Sequence, residues 1–232
     1  MNRQQIRNYV RLLIDELTEA PEGAFTDIQI NDVINISQQN VLMDLAVHIP
    51  WAIRKPLLIS IQIDKRTYSM TDLSVTDFLM MNGIFENTSG ENPKELLYLE
   101  QDQLTDFNVK VGEKGDPKYW GYESPDTIFF EPTPSFSYTS KFKAFYIPAI
   151  PDLNDDSVHT PPTKYAIPAL PKPTHHLISY DVVKQLHIAT EEESADIDRL
   201  YLELLNKTIF TLSQGQGVTT RRRPHIIESI KR

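Results

Sequence analysis

Apolar residues recur on a helical period at both ends of the chain and on a two-residue period in its middle. Over residues 5–17, Ile6, Val10, Leu13, Ile14 and Leu17 share one helix face, and Pro21-Glu22-Gly23 ends the segment. Thr26 is placed to cap a second helix whose inward stripe is Ile30, Val33, Ile34, Ser37, Val41, Leu42 and Leu45, ending before Pro50. The chain therefore opens as a helical hairpin. At Lys55 the period changes: Leu57, Ile59, Ile61 and Ile63 alternate with Leu58, Ser60 and Gln62, and Asp64-Lys65 supplies a turn into residues 66–70, which predicts a β-hairpin. Further strands are expected over residues 77–85, 118–122, 127–131 and 141–147, with Pro125-Asp126 and Pro132-Thr133-Pro134 as turns. Together they predict a small antiparallel sheet. Residues 101–107 have the local propensity of one short helix.

Prolines then crowd the chain at Pro148, Pro151, Pro161, Pro162, Pro168, Pro171 and Pro173. They remove N–H donors and hold the backbone extended, so this stretch reads as a connector laid along a surface. Helical spacing returns with Leu177, Ile178, Val182, Leu186 and Ala189 on one face, then Ile197, Leu200, Tyr201, Leu204, Leu205, Thr208 and Leu212 on another. Glu191, Glu192 and Glu193 stand where the last helix begins and suit its positive end. After Ser213, Gly215 and Gly217 release the chain into a tail. No internal repeat is present. The fold class is α+β: N- and C-terminal helix pairs form one bundle around an inserted antiparallel sheet module. The expected layout is helices at 1–54, sheet module at 55–147, connector at 148–173, helices at 174–214 and tail at 215–232.

The chain has 232 residues, 40% of them hydrophobic, enough to bury a core without outside help. No apolar run approaches the ~20 residues of a bilayer span, and no small-residue cleavage site follows the charged amphipathic N-terminus, so neither a membrane partner nor a signal peptide is expected. Cysteine is absent, which removes disulfides, thiolate metal sites and cysteine nucleophiles, and suits assembly in a reducing cytoplasm. A net charge of −9 repels phosphates and disfavours DNA binding. The sign reverses locally at the end, where Arg221, Arg222, Arg223, Lys231 and Arg232 face only Glu228. Such a tail calls for an acidic partner.

Candidate chemistry is sparse. Asp152-Leu153-Asn154-Asp155-Asp156 spaces oxygens as a calcium loop does, but Ser157 replaces the turn glycine and Thr163 the bidentate Glu, so an acidic solvated turn is favoured. Adjacent His175 and His176 point apart on a helix, and His187 has no carboxylate at zinc-site spacing. Gly112-Glu113-Lys114-Gly115-Asp116 lacks the lysine-serine pair of a phosphate loop. Asp102 and Asp106 are the sort of carboxylate pair that an acidic chain makes by chance. Trp51 and Trp120 lie outside any basic stretch and read as core or interface anchors. No cofactor, metal or catalytic residue is assigned. The enzyme alternative, a carboxylate- or metal-dependent hydrolase, requires convergent carboxylates in a pocket.

The order of parts resembles the head-to-tail connector family of podovirus-like tailed phages, the portal–tail adaptors and tail tubular ring proteins. Residues that carry the resemblance are Asp32-Val33-Ile34-Asn35-Ile36-Ser37-Gln38-Gln39 in an amphipathic helix, Arg66-Thr67-Tyr68-Ser69-Met70 in a strand, and Lys118-Tyr119-Trp120-Gly121-Tyr122 followed by Ile128-Phe129-Phe130-Glu131-Pro132-Thr133-Pro134 in a hairpin. Phe145-Tyr146-Ile147-Pro148, the acidic run from Asp152, and Ile167-Pro168 before a helix continue it. The resemblance implies a non-catalytic virion protein forming a ring, typically of twelve subunits, between the portal protein and a downstream tail, nozzle or ring protein. It places the bundle outside and a C-terminal extension in the portal clefts; here that docking extension is Arg221, Arg222, Arg223, Pro224, His225, Ile226, Ile227, Ile230, Lys231 and Arg232. Double-stranded DNA would pass through the lumen without specific binding, past an acidic wall that repels phosphate. Residues 74–111 exceed what the smallest members carry and suggest a tail-facing loop. A virion ring or head-completion protein placed lower in the tail is the alternative within the same class.

Overall fold

The computed structural model describes residues 1–17, 25–87, 93–100, 103, 112–153, 168–189 and 195–214. It divides into two compact units, Met1–Ala52 with Asp152–Arg232, and Ile53–Pro151.

The first unit is a helical bundle of α1 (Arg3–Leu17), α2 (Asp27–His48), α3 (His175–Ala189) and α4 (Ala195–Gln214), with short 3-10 turns at Pro50–Ala52 and Lys172–Thr174. Thr26 starts α2 with a reciprocal capping box: its hydroxyl accepts from the Gln29 N–H at 3.3 Å, and the Gln29 side-chain oxygen accepts from the Thr26 N–H at 2.8 Å. Arg11 of α1 reaches Asp27 at 2.5 Å and fixes the hairpin from the other side, holding the Asp27 carboxyl below its usual range. Helix α3 packs against α1, α2 and α4. Ile6, Val10, Ile30, Ile34, Val41, Leu45, Leu177, Ile178, Val182 and Val183 are wholly buried and make the bundle core. Each helix enters it through the described side chains of the stripe expected of it, although Val33, Leu200, Leu204 and Leu212 are only half-buried; the side chains of Leu17 and Ala189 lie outside those described.

The second unit holds β1 (Lys55–Ile61), β2 (Thr67–Ser69), β3 (Phe78–Glu86), β4 (Leu97–Tyr98), β5 (Lys114–Gly115), β6 (Tyr119–Ser124), β7 (Thr127–Glu131), β8 (Thr133–Pro134) and β9 (Tyr138–Pro148). Two sheets, ordered β1-β9-β3 and β2-β7-β6-β4, contribute to one apolar core. Ile59, Ile61, Ile84, Phe142 and Ala144 come from the first sheet, and Tyr68, Trp120, Ile128 and Phe130 from the second. Phe130 and Phe142 stack at 5.3 Å with an 18° interplanar angle. The β6–β7 hairpin turns at Pro125-Asp126 as its sequence predicts.

Two expectations are corrected. Residues 57–70 do not form a hairpin: β1 pairs with β9, Ile59 opposite Phe142, while β2 pairs with β7, Tyr68 opposite Ile128. Asp64, at φ 61°, donates its N–H to the Pro134 carbonyl, and the chain passes there from one sheet to the other. The apolar sets of β1 and β2 thereby meet across the core instead of lying side by side, and the single expected sheet becomes two larger sheets and a two-stranded third. Pro132-Thr133-Pro134 is likewise not simply a turn, because β8 pairs in parallel with β5. Extended proline-flanked backbone leaves the Thr133 N–H able to donate to Glu113 O at 2.8 Å and Gly115 O able to accept from Ser135 at 3.1 Å. The expected helix at 101–107, apart from Gln103, the connector at 154–167 and Glu191, Glu192 and Glu193 lie outside the described residues.

Candidate partner-binding surfaces

The tail residues singled out by charge, Arg221, Arg222, Arg223, Pro224, His225, Ile226, Ile227, Ile230, Lys231 and Arg232, all lie outside the described residues. The structure does describe their root. Ile197, Tyr201, Leu205 and Thr208 of α4 are buried, the Tyr201 hydroxyl donates to the Asp44 carboxylate, and Lys184 of α3 meets Asp198 at 2.9 Å. Burial, with Asp44 beside it, pushes the Tyr201 hydroxyl well above the ordinary phenol range. A polar lattice continues inward, where the Asn40 side-chain amide donates to Asp181 at 3.0 Å. Burial pushes the Asp181 carboxyl up, against the opposing pull of Asn40 and Ser37. These groups are engaged with one another between helices, so they register α2, α3 and α4.

The histidines separate as their spacing predicts. His175 is buried, its Nε2 3.0 Å from the Leu170 carbonyl, whereas His176 is exposed and lies edge-on to Tyr9 at 5.3 Å. His187 is buried further along α3. Among the described residues no three His, Cys, Asp or Glu side chains cluster to hold a metal. Asp102, Asp106, Asn154, Asp155 and Asp156 are outside those residues. Leu153 is pinned to the bundle, its N–H donating to Asn35 at 2.9 Å and its carbonyl accepting from Arg3 at 2.7 Å. Lys114 of the glycine-flanked stretch lies in β5 and pairs with Asp64 at 2.8 Å. Trp120 is a core anchor, and Trp51 is half-buried. No helix among the described residues is long and apolar enough to cross a membrane.

A surface that the sequence reading did not anticipate lies in the second unit. Edge strands β3 and β4 flank a groove of about 780 Å³ lined by Leu79, Met80, Leu97, Tyr98, Trp120 and Tyr122. The Tyr122 hydroxyl accepts the Met81 N–H at 2.6 Å, and Tyr98 packs edge-on to Trp120 at 4.9 Å. Leu97 remains 59% exposed and Tyr98 46%, so the groove presents apolar surface to solvent. Its only sequence signal is the unbroken run Phe78-Leu79-Met80-Met81, which puts apolar side chains on both faces of one strand.

Both units leave large apolar side chains exposed, Ile28, Ile36 and Val47 in the bundle and Leu97 and Tyr98 in the second unit. The SU10 adaptor protein family matches residues 1–225, and the chain belongs to that family: it is a phage structural adaptor protein and a virion component. No curated protein matches the chain.

Proposed function

We propose that the chain is the ring-forming subunit that joins the portal to the tail of a podovirus-like phage, docking to the portal through Arg221, Arg222, Arg223, Pro224, His225, Ile226, Ile227, Ile230, Lys231 and Arg232. The observation that carries this reading is the family match over residues 1–225, which takes in both units and runs into the basic tail. Charge supports it: a chain of net charge −9 concentrates cations in its last dozen residues, a segment suited to an acidic portal surface. Twelve copies would surround a lumen through which double-stranded DNA passes without specific contact. Assembly in the host cytoplasm accords with the absence of cysteine. The groove between β3 and β4, both within 74–111, suits that region to a tail-facing contact with a downstream nozzle or ring protein.

The test is negative-stain imaging of the purified chain mixed with its phage's portal, with and without residues 218–232. Rings seated on the portal with the full chain, and none with the truncated one, support both the adaptor role and the docking tail. Rings with both forms remove the tail from docking. If neither form touches the portal, a position lower in the tail replaces the adaptor role.

A further inference from the structure

Helix α2 is apolar on two opposite faces. Its inner face buries Ile30, Ile34, Val41 and Leu45 completely. Its outer face carries Ile28, Ile36, Met43 and Val47, which are 73%, 56%, 44% and 76% exposed. At the helical repeat these four fall within an arc of about 100°, roughly opposite the buried stripe and about 28 Å long. Helix α4 has a second stripe of this kind, with Leu202 55% and Phe210 63% exposed about two turns apart and Asn206 between them. Isolated exposed apolar residues are ordinary, but two stripes aligned along two helices of one bundle are not.

The α2 arc carries one charge, Asp32, while the α4 arc carries Arg199, which pairs with Asp196 at 3.2 Å and has Glu203 just beyond Phe210 around the helix; all four charged residues are exposed. Copies of a chain with net charge −9 repel one another, so a seam between them needs local complementarity. Packing α2 on α2 sets Asp32 stripe against Asp32 stripe and closes as a two-fold pair. Packing α2 on α4 sets Asp32 toward Arg199, buries both stripes and leaves each subunit with one donor and one acceptor face, the head-to-tail arrangement that closes as a ring. We infer that the outer face of α2, Ile28, Ile36, Met43 and Val47, is the seat of α4 from the next copy, through Leu202 and Phe210. The seam rests on the ring reading above and names its contact.

Because the chain has no cysteine, engineered thiols report contacts without background. Single variants I36C or M43C are mixed with L202C or F210C on the portal and oxidised, and the matching double variants are treated alike. Cross-links between α2 and α4 variants in the mixtures, and a ladder of oligomers from the doubles, are expected. Rings visible by imaging with no α2–α4 cross-link, or cross-links confined to α2–α2 pairs, overturn the seam while leaving the ring. Absence of rings from the wild-type chain on the portal overturns the ring reading and the seam with it. As a second measurement, I36E/V47E should keep the wild-type circular dichroism spectrum and melting midpoint, since both sites are exposed, yet fail to form rings; rings from that variant overturn the seam.

Discussion

Arg66 Nε lies 2.5 Å from Oε1 of Glu131, whose side chain has no solvent exposure. The same oxygen accepts from the Gly112 N–H at 3.4 Å, and the Arg66 guanidinium sits 4.8 Å over the Phe129 ring. Arg66 leads into β2 and Glu131 ends β7, so the pair locks the edge of the second sheet. Removing one partner of a buried pair leaves an uncompensated charge, at a cost of about 3 kcal/mol. Glu131→Gln should lower the unfolding free energy from urea titration by that measure and with it the midpoint, while Arg66→Met with Glu131→Leu should cost less. An unchanged midpoint for Glu131→Gln would show that the pair contributes nothing to stability.

Gly121 faces the segment carrying β4. A Cβ built there would lie 2.1 Å from the Leu99 carbonyl oxygen and 2.6 Å from the Phe129 ring. Gly121→Ala should push β4 off β6 and cost about 2 kcal/mol by overpacking. Urea unfolding followed by circular dichroism measures it, and the native tryptophan fluorescence, to which Trp51 also contributes, should change because Tyr98 shifts against the Trp120 indole.

Acid stability should depend on His175. Burial lowers its imidazole pKa below the ordinary 6.5, so the folded state favours the neutral ring. That preference costs nothing at higher pH, and stability is lost as pH falls from about 6.5 through the lower folded value. Asp181, raised by burial, works the other way, because the folded state gains its proton first as acid is added. The melting midpoint of the wild-type chain should therefore drop between about pH 7 and 5, with a flatter profile in His175→Asn. Identical slopes in the two proteins would remove His175 from the acid response.

Alkali should act through Tyr146. Burial, helped by the 3.0 Å bond from its hydroxyl to Asp77, raises its pKa to about 12. A raised value favours the protonated folded state, so the contribution is complete below pH 10 and is lost as pH rises toward about 12. Tyr146→Phe should be less stable at neutral pH but lose less on going to pH 11, measured by urea midpoints at both.

If the basic tail docks by charge, R221E/R222E/R223E should abolish portal binding without moving the melting midpoint. Raising salt from about 0.05 to 0.5 M should weaken the wild-type complex progressively. Salt-independent binding measured by light scattering would shift the docking role to the apolar residues Ile226, Ile227 and Ile230.

Much of the architecture was legible locally. The four helices of the described residues, the β6–β7 hairpin and the core of β9, though not its first three residues, follow from periodicity and turn residues, because both signals live within one segment and survive whatever packs against it. Thr26 with Gln29 is the clearest case: a cap written in four adjacent residues and found intact. The charge of the tail was equally plain from composition. Partnership was another matter. Alternation in β1 says that Ile59 and Ile61 turn inward but not whose edge they join, and β9, some eighty residues later, outcompeted the adjacent β2 because that pairing lets the apolar faces of β1 and β2 close on each other. The β3–β4 groove and the outer face of α2 were hidden for a related reason. Hydrophobicity is a property of residues, whereas exposure depends on which other elements cover them: the helical period already turns Ile34 inward and Ile36 outward, but only the tertiary structure decides that Ile36 stays 56% exposed.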